Sequence, residues 1–388
     1  MRKEYFYIKI IVFISCFSIT VNAQTYDTFY GSIVDNVSST NILNDLTTFE
    51  GLGIKEVGTT ALTNTENWIT ARYQSLGYSD VVLQEFTYSA GTSNNIIVTK
   101  IGTTYPNTFL IIDAHYDTIN GTGTNDNGSG TVLILEMARL LKDVDTEYSI
   151  KFIHFSGEED GLIGSNYYVD NTVIPNDLDI LLVFNIDEVG GVSGMTNDTI
   201  VCEQDESNPT SNNAASSTAT NTLATCIGLY SNLNTEISNA YASDYIPFEN
   251  NGEIITGIYE KNETPHAHTA TDLLVNMDPN YVYEVTKGSL GAALHFAVSS
   301  SSLNVAQNNF ATFKLFPNPT NGILNLSFDT TKLSDTSIRF YDLLGKLVYE
   351  KSNLNNHESI NLQTLEKGVY FAVITNGNSR VTKKVILN

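Results

Sequence analysis

Cysteine, basic side chains and long apolar runs are all scarce in this sequence. Three of its 388 residues are Cys, at positions 16, 202 and 226. None stands in a Cys-x-x-Cys pair, which excludes the common spacing of a thiolate zinc centre. Lys and Arg together number 20 against 43 acidic residues, a formal net charge of −23. Nucleic acid and anionic membrane surfaces reward basic patches through phosphate contact and counterion release, so neither is the expected partner. Charged residues make up only 16% of the chain and hydrophobic ones 41%, with 21 Tyr and 18 Phe. A chain this apolar fills real cores and is not generally disordered. Beyond the first 23 residues no apolar run approaches the roughly 20 residues a membrane-spanning helix needs, so an integral membrane protein is not expected.

What is present begins with the leader. MRKEYFYIKIIVFISCFSITVNAQ has a basic start, an apolar stretch and small residues before Gln24, the layout of a cleavable secretory signal, with cleavage expected after Ala23. Lipidation of Cys16 is the rival reading, but apolar residues continue past it where a tether should be polar. Removal of the leader leaves Cys202 and Cys226, either one disulfide of an exported protein or two buried thiols.

Charge divides the rest. Residues 313–388 hold nine basic and six acidic side chains, whereas residues 24–312 hold eight basic and 36 acidic, a net −28. Two folded units follow, one at 24–298 and one at 313–388, with a Ser- and Asn-rich linker at 299–312. In the first unit, residues 24–90 read as mostly helical. Strands are expected at 95–101, 109–115, 150–155, 181–186 and 253–259, and helices at 131–141, 162–169 and 281–298. Strands separated by helices give an α/β fold, an α/β/α sandwich around a mixed, mainly parallel sheet. The last unit alternates strand-sized stretches at 323–328, 337–341, 346–349, 368–374 and 381–387 with Asn, Gly and Ser turns, which predicts a small all-β sandwich.

Three expected strands end in the same chemistry: His115-Tyr116-Asp117, Glu158-Glu159-Asp160 and Asp187-Glu188. Ligand sites of such sheets gather at the carboxyl ends of the strands. Carboxylates collected there raise one another's pKa unless a cation sits among them. Imidazole with carboxylate, and no thiolate, suits a catalytic zinc that keeps a position open for water. The spacing His115-x-Asp117 puts both side chains on one side of an extended strand, so Asp117 can hold the His115 ring. Adjacent Glu158 and Glu159 diverge, and one can bind metal while the other reaches water.

The motifs AHYDT (114–118), GTNDNGSG (123–130), SGEEDGLIGS (156–165), NIDEVG (185–190) and HTATD (268–272), in this order, resemble the co-catalytic di-zinc aminopeptidases of the bacterial leucyl aminopeptidase type over about residues 30–298. The resemblance implies two zinc ions, one held by His115 and Asp187, the other by Glu159 and His268, with Asp126 bridging them. It further implies Glu158 as general base, Asp117 as the residue orienting His115, and peptides with a free N-terminus as substrates. Tyr241, ahead of Ser243-Asp244, would match a family tyrosine that stabilises the oxyanion, although the spacing is one residue short. His266 competes with His268 for the ligand role, and His268 is preferred because it opens the HTATD match; His154 and His295 are expected to be structural, His357 a surface residue, and Asp160 and Glu188 turn or capping carboxylates. Rival readings are a glutaminyl cyclase of the same fold that uses one zinc, a carboxypeptidase or dipeptidase, and a binding module without catalysis. FKLFPNPTNGILNLSF, YDLLGKLVYE, LEKGVYFAVI and KKVILN resemble the C-terminal sorting domain of type IX secretion cargo. That implies passage through the periplasm and outer membrane, engagement of the type IX machinery, and a secreted or cell-surface enzyme.

Overall fold

In a computed structural model of the chain, residues 24–240, 242–300, 313–328, 336–342, 346–376 and 379–388 are described. They divide into two units at Ser300 and Ser301. The expected leader and residues 301–312 of the expected linker lie outside the described residues.

The first unit opens with α1 (Thr28–Val34), α2 (Ser39–Gly51) and α3 (Thr60–Ser75). Each starts where a side-chain oxygen of Asp27, Ser38 or Thr59 accepts main-chain N–H groups of the first turn, satisfying donors that the helix leaves free. The helical reading of residues 24–90 fails at its end, where Val81–Tyr88 forms strand β1. It is an edge strand with only Phe86 buried, so its sequence carries no clear alternation.

Next come β2 (Gly91–Lys100), β3 (Tyr105–His115), α4 (Gly128–Leu141), β4 (Tyr148–Phe155) and α5 (Ile163–Tyr168). β5 (Asp179–Ile186), β6 (Thr199–Gln204), α6 (Asn213–Tyr230) and β7 (Asn234–Asn239) follow. α7 (Ile246–Asn250), β8 (Ile255–Glu260) and α8 (Pro279–Phe296) complete the unit. The eight strands form one sheet in the order β1-β2-β4-β3-β5-β8-β6-β7. Pairings β4/β3, β3/β5, β5/β8 and β6/β7 are parallel, and the other three antiparallel. The mixed sheet with helices is the expected α/β fold.

Its centre is the most apolar part. From Leu110 to His115 every residue of β3 is buried, as a strand covered on both faces requires. α4 behind it is buried almost throughout. The stretch from 190 to 252, for which no elements are expected, holds β6, α6, β7 and α7. The first half of α6 turns polar residues inward, where Ser216 Oγ donates to the Ile255 carbonyl and Thr220 Oγ1 to that of Glu203. Cys202 and Cys226 are buried and unbonded. Ser299 and Ser300, expected in the linker, pair antiparallel with Thr146 and Asp145. Among the described residues no helix is long and apolar enough to cross a membrane.

The second unit is all-β. Phe313–Phe316, Ile323–Phe328 and His357–Asn361 form one antiparallel sheet. Leu347–Ser352, Thr336–Tyr341, Gly368–Asn376 and Ser379–Leu387 form another. Leu324, Leu326 and Ile360 of the first pack with Phe340, Ile374 and Val385 of the second in one core, the expected sandwich.

Candidate metal centre

His115 is the last residue of β3, and Asp187 follows the last residue of β5, its parallel neighbour. Asp126 lies in the turn that leads into α4, which Asn127 caps by accepting from the Gly130 N–H. That turn demands glycine twice. Gly123 has φ +56, and a Cβ on Gly130 would lie 2.5 Å from the Ile186 carbonyl oxygen. Glu158 and Glu159 sit in the turn after β4, and His268 in the loop between β8 and α8.

Side chains from these separate turns meet. His115 Nε2 lies 3.3 Å from Asp126 Oδ1 and 3.3 Å from Asp187 Oδ1. His268 Nε2 lies 3.0 Å from Asp126 Oδ2 and 2.9 Å from Glu159 Oε2. Two sets result, His115–Asp126–Asp187 and Asp126–Glu159–His268, each with ligand-type atoms within 4.8 Å of one another. Asp126 belongs to both, one oxygen to each. Glu158 Oε2 is 3.9 Å from His115 Nε2 and in neither set.

The electrostatics call for positive charge. Burial, then the Asp126 carboxylate, pushes Glu159 up to about 10; burial also lifts Glu158 to about 7 and Glu188 to about 9. Asp126 moves the other way: burial opposes its ionisation, but hydrogen bonds from His115 and His268 outweigh it. Buried Glu159 Oε1 and Asp187 Oδ1 have no hydrogen-bond partner among the described residues. Orphaned carboxylate oxygens beside two imidazoles fit a small divalent cation of the zinc type.

Supporting contacts differ in part from expectation. β3 ends at His115, so the alternation needed to aim Asp117 at the ring stops there. His115 Nδ1 contacts the Asp117 main-chain oxygen at 3.2 Å, with the carboxylate 3.7 Å away. The Asp117 carboxylate instead accepts the N–H groups of Glu158 and Glu159, both at 3.3 Å. Ser243, to which sequence reasoning gives no role, donates its hydroxyl to Asp187 Oδ2 at 2.8 Å; only its place in a Ser-Asp pair hinted at it. Tyr241 lies outside the described residues. His266 is set apart from both groups, its Nδ1 2.8 Å from Thr271 Oγ1. A cavity of about 280 Å³ opens beside Asp117 and Glu159, walled by Val57, Ala90 and Ile119, with Glu56 and Asp160 among its lining residues.

The chain is similar to known proteins in sequence and in fold. Residues 95–293 match the family described as Peptidase family M28, and residues 314–388 the Secretion system C-terminal sorting domain. Aminopeptidase YwaD of Bacillus subtilis is 44% identical over 101 residues, which is 26% of this chain and 22% of YwaD. The match thus spans about a fifth of that relative's length. The LapA aminopeptidase of Legionella pneumophila superposes with a TM-score of 0.62 at 19% identity, covering 76% of this chain and 80% of LapA. A glutaminyl cyclase of Fimbriiglobus ruber does so with a TM-score of 0.56 at 17% identity, covering 66% and 95%. At such identities the likeness shows a common fold and does not separate the two chemistries.

Proposed function

The chain belongs to Peptidase family M28, and from that premise we propose that it is an exported aminopeptidase that removes N-terminal residues from peptides with the help of two zinc ions. The single observation that carries this reading is the pair of ligand sets sharing Asp126. A one-zinc cyclase needs only one such set. His115, Asp126 and Asp187 would hold one ion, and Asp126, Glu159 and His268 the other. When bound, the pair would supply Lewis acidity, lowering the pKa of a water and polarising the scissile carbonyl.

The chain's own groups do the rest. Glu158 takes the proton from the attacking water and delivers it to the leaving amine. Glu158 lies outside both ligand sets, with Oε2 3.9 Å from His115 Nε2, so its carboxylate is left to accept and release the proton. Asp117, by accepting two consecutive N–H groups, holds the turn that sends Glu158 to the water and Glu159 to the metal. Ser243 fixes the angle of the Asp187 carboxylate, as groups behind metal ligands commonly do. The cavity beside Asp117 and Glu159 gives the peptide room. Export proceeds by the leader across the inner membrane, then by type IX recognition of residues 314–388 at the outer membrane, and delivers the enzyme to the cell surface or medium.

The test is a mass-spectrometric assay of zinc-loaded protein on peptides with free or blocked N-termini, some beginning with Gln. Stepwise N-terminal trimming of unblocked peptides alone is expected. Loss of ammonia from Gln peptides without trimming would establish the cyclase instead, and trimming from the other end a carboxypeptidase.

A further inference from the structure

Asp272 closes the HTATD motif and has no part in the chemistry above. It is 2% exposed, and its carboxylate accepts two consecutive main-chain N–H groups, from Asn125 at 2.9 Å and Asp126 at 3.0 Å. Its own carbonyl accepts the Thr122 hydroxyl at 2.7 Å and the Thr124 N–H at 3.4 Å, and its N–H donates to the Thr269 carbonyl at 3.1 Å. One residue therefore stitches the turn carrying Asp126 to the loop carrying His268. Lys55, itself buried, braces the same turn from another side through Nζ, which donates to the carbonyls of Thr122 and Gly53, both at 2.7 Å.

The two ligand sets are unequally supported. His115 and Asp187 stand at the ends of hydrogen-bonded neighbouring strands, and the ladder fixes their spacing. Glu159 and His268 stand on loops, and the His268 side chain is 59% exposed, so packing does not hold it. Asp117 steadies the Glu159 turn by accepting its N–H groups. Asp272 makes the same kind of two-amide contact to the Asp126 turn while sharing a loop with His268. We infer that Asp272 is a positioning residue that sets the separation of Asp126 and His268, and so the affinity of the metal site those two form with Glu159. The inference rests on the two-metal reading above.

It is tested by titrating zinc into chelator-stripped full-length protein against a competing chelator, with no turnover measured. Asp272→Asn keeps the shape, but its NH2 meets one of the two N–H groups and leaves it unpaired. The zinc equivalent held with Glu159 and His268 is expected to weaken by about 10- to 100-fold, the range for loss of a group behind a metal ligand, and the other, which shares only Asp126 with it, to weaken less. Thr122→Val, which removes the hydroxyl's bond to the Asp272 carbonyl and its contact with Thr124 Oγ1, is expected to weaken the same equivalent by a smaller factor than Asp272→Asn does. Two unchanged affinities in Asp272→Asn, or equal weakening of both, would overturn the inference while leaving the two-metal reading intact. Should Asp272→Asn not fold, unchanged affinities in Thr122→Val overturn it. Wild-type protein that binds a single equivalent would instead overturn the two-metal reading, and the inference with it.

Discussion

His154 offers a quantitative test of how the first unit is held together. It lies inside β4, fully buried, with Nε2 2.9 Å from the Tyr73 hydroxyl and no partner for Nδ1 among the described residues. An imidazolium there would leave a charged N–H unpaired in an apolar core, and burial depresses the pKa to about 3. The unfolded chain binds the proton with the ordinary value of about 6.5. A depressed folded pKa contributes stability that is full above 6.5 and lost as pH falls towards 3. At about 1.4 kcal/mol per unit, falling from pH 8 to pH 5 costs about 2 kcal/mol through this group alone. His154→Gln cannot take up the proton. At pH 8 it should be less stable than wild type by about 1–3 kcal/mol, the usual cost of disturbing a buried hydrogen bond. By pH 5 that gap should shrink by about 2 kcal/mol. Urea unfolding of both proteins, followed by the emission of Trp68, measures it. The chain has one Trp, packed against the first unit's core beside Phe49, so the signal reports that unit. Protonation of the ligand carboxylates is common to both proteins and cancels in the difference. A gap that stays constant from pH 8 to pH 5 refutes the reasoning.

Three further expectations concern the centre and the tail. Glu158→Gln should bind zinc as wild type does and lose about 10²- to 10⁴-fold in turnover; a near-normal rate would remove Glu158 from the base role. Asp126→Asn should lose zinc as well as rate, and metal analysis finding two equivalents would sink the bridging assignment. Deletion of residues 313–388 should leave purified enzyme active and stop its export, so an inactive, folded truncate would tie the tail to the catalytic unit.

Much of the centre was legible because its ligands fall at the ends of buried parallel strands. Such strands read as unbroken apolar runs, and the break to His115, to Glu158-Glu159 and to Asp187 is abrupt. Ser243 and Asp272 were not legible, since their partners lie 56, 146 and 147 positions away and two of the three are main-chain amides. In the fold, the losses have local causes. β1 and β7 are edge strands with few or no buried residues, so neither shows alternation. α6 was missed because Ser216 and Thr220 occupy its buried face, hydroxyls satisfied by neighbouring carbonyls, where a pattern search looks for aliphatic residues. In the tail, Phe313–Phe316 and His357–Asn361 were not expected; in the latter only Ile360 is buried, so no apolar alternation marks it.

The unbonded state of Cys202 and Cys226 sets the terms on which the protein endures outside the cell. A crosslink between them would enclose a loop of about two dozen residues and, on the chain-entropy account, hold back about 3 kcal/mol of disorder from the unfolded state. Without it the unfolded chain is unrestrained. Persistence of the described residues then depends on non-covalent packing, such as that of α6 against β6 and α8, together with any bound metal, and their folding needs no oxidant. Unfolding should therefore be indifferent to reductant, and the thiols should react with alkylating reagents only as fast as the core opens.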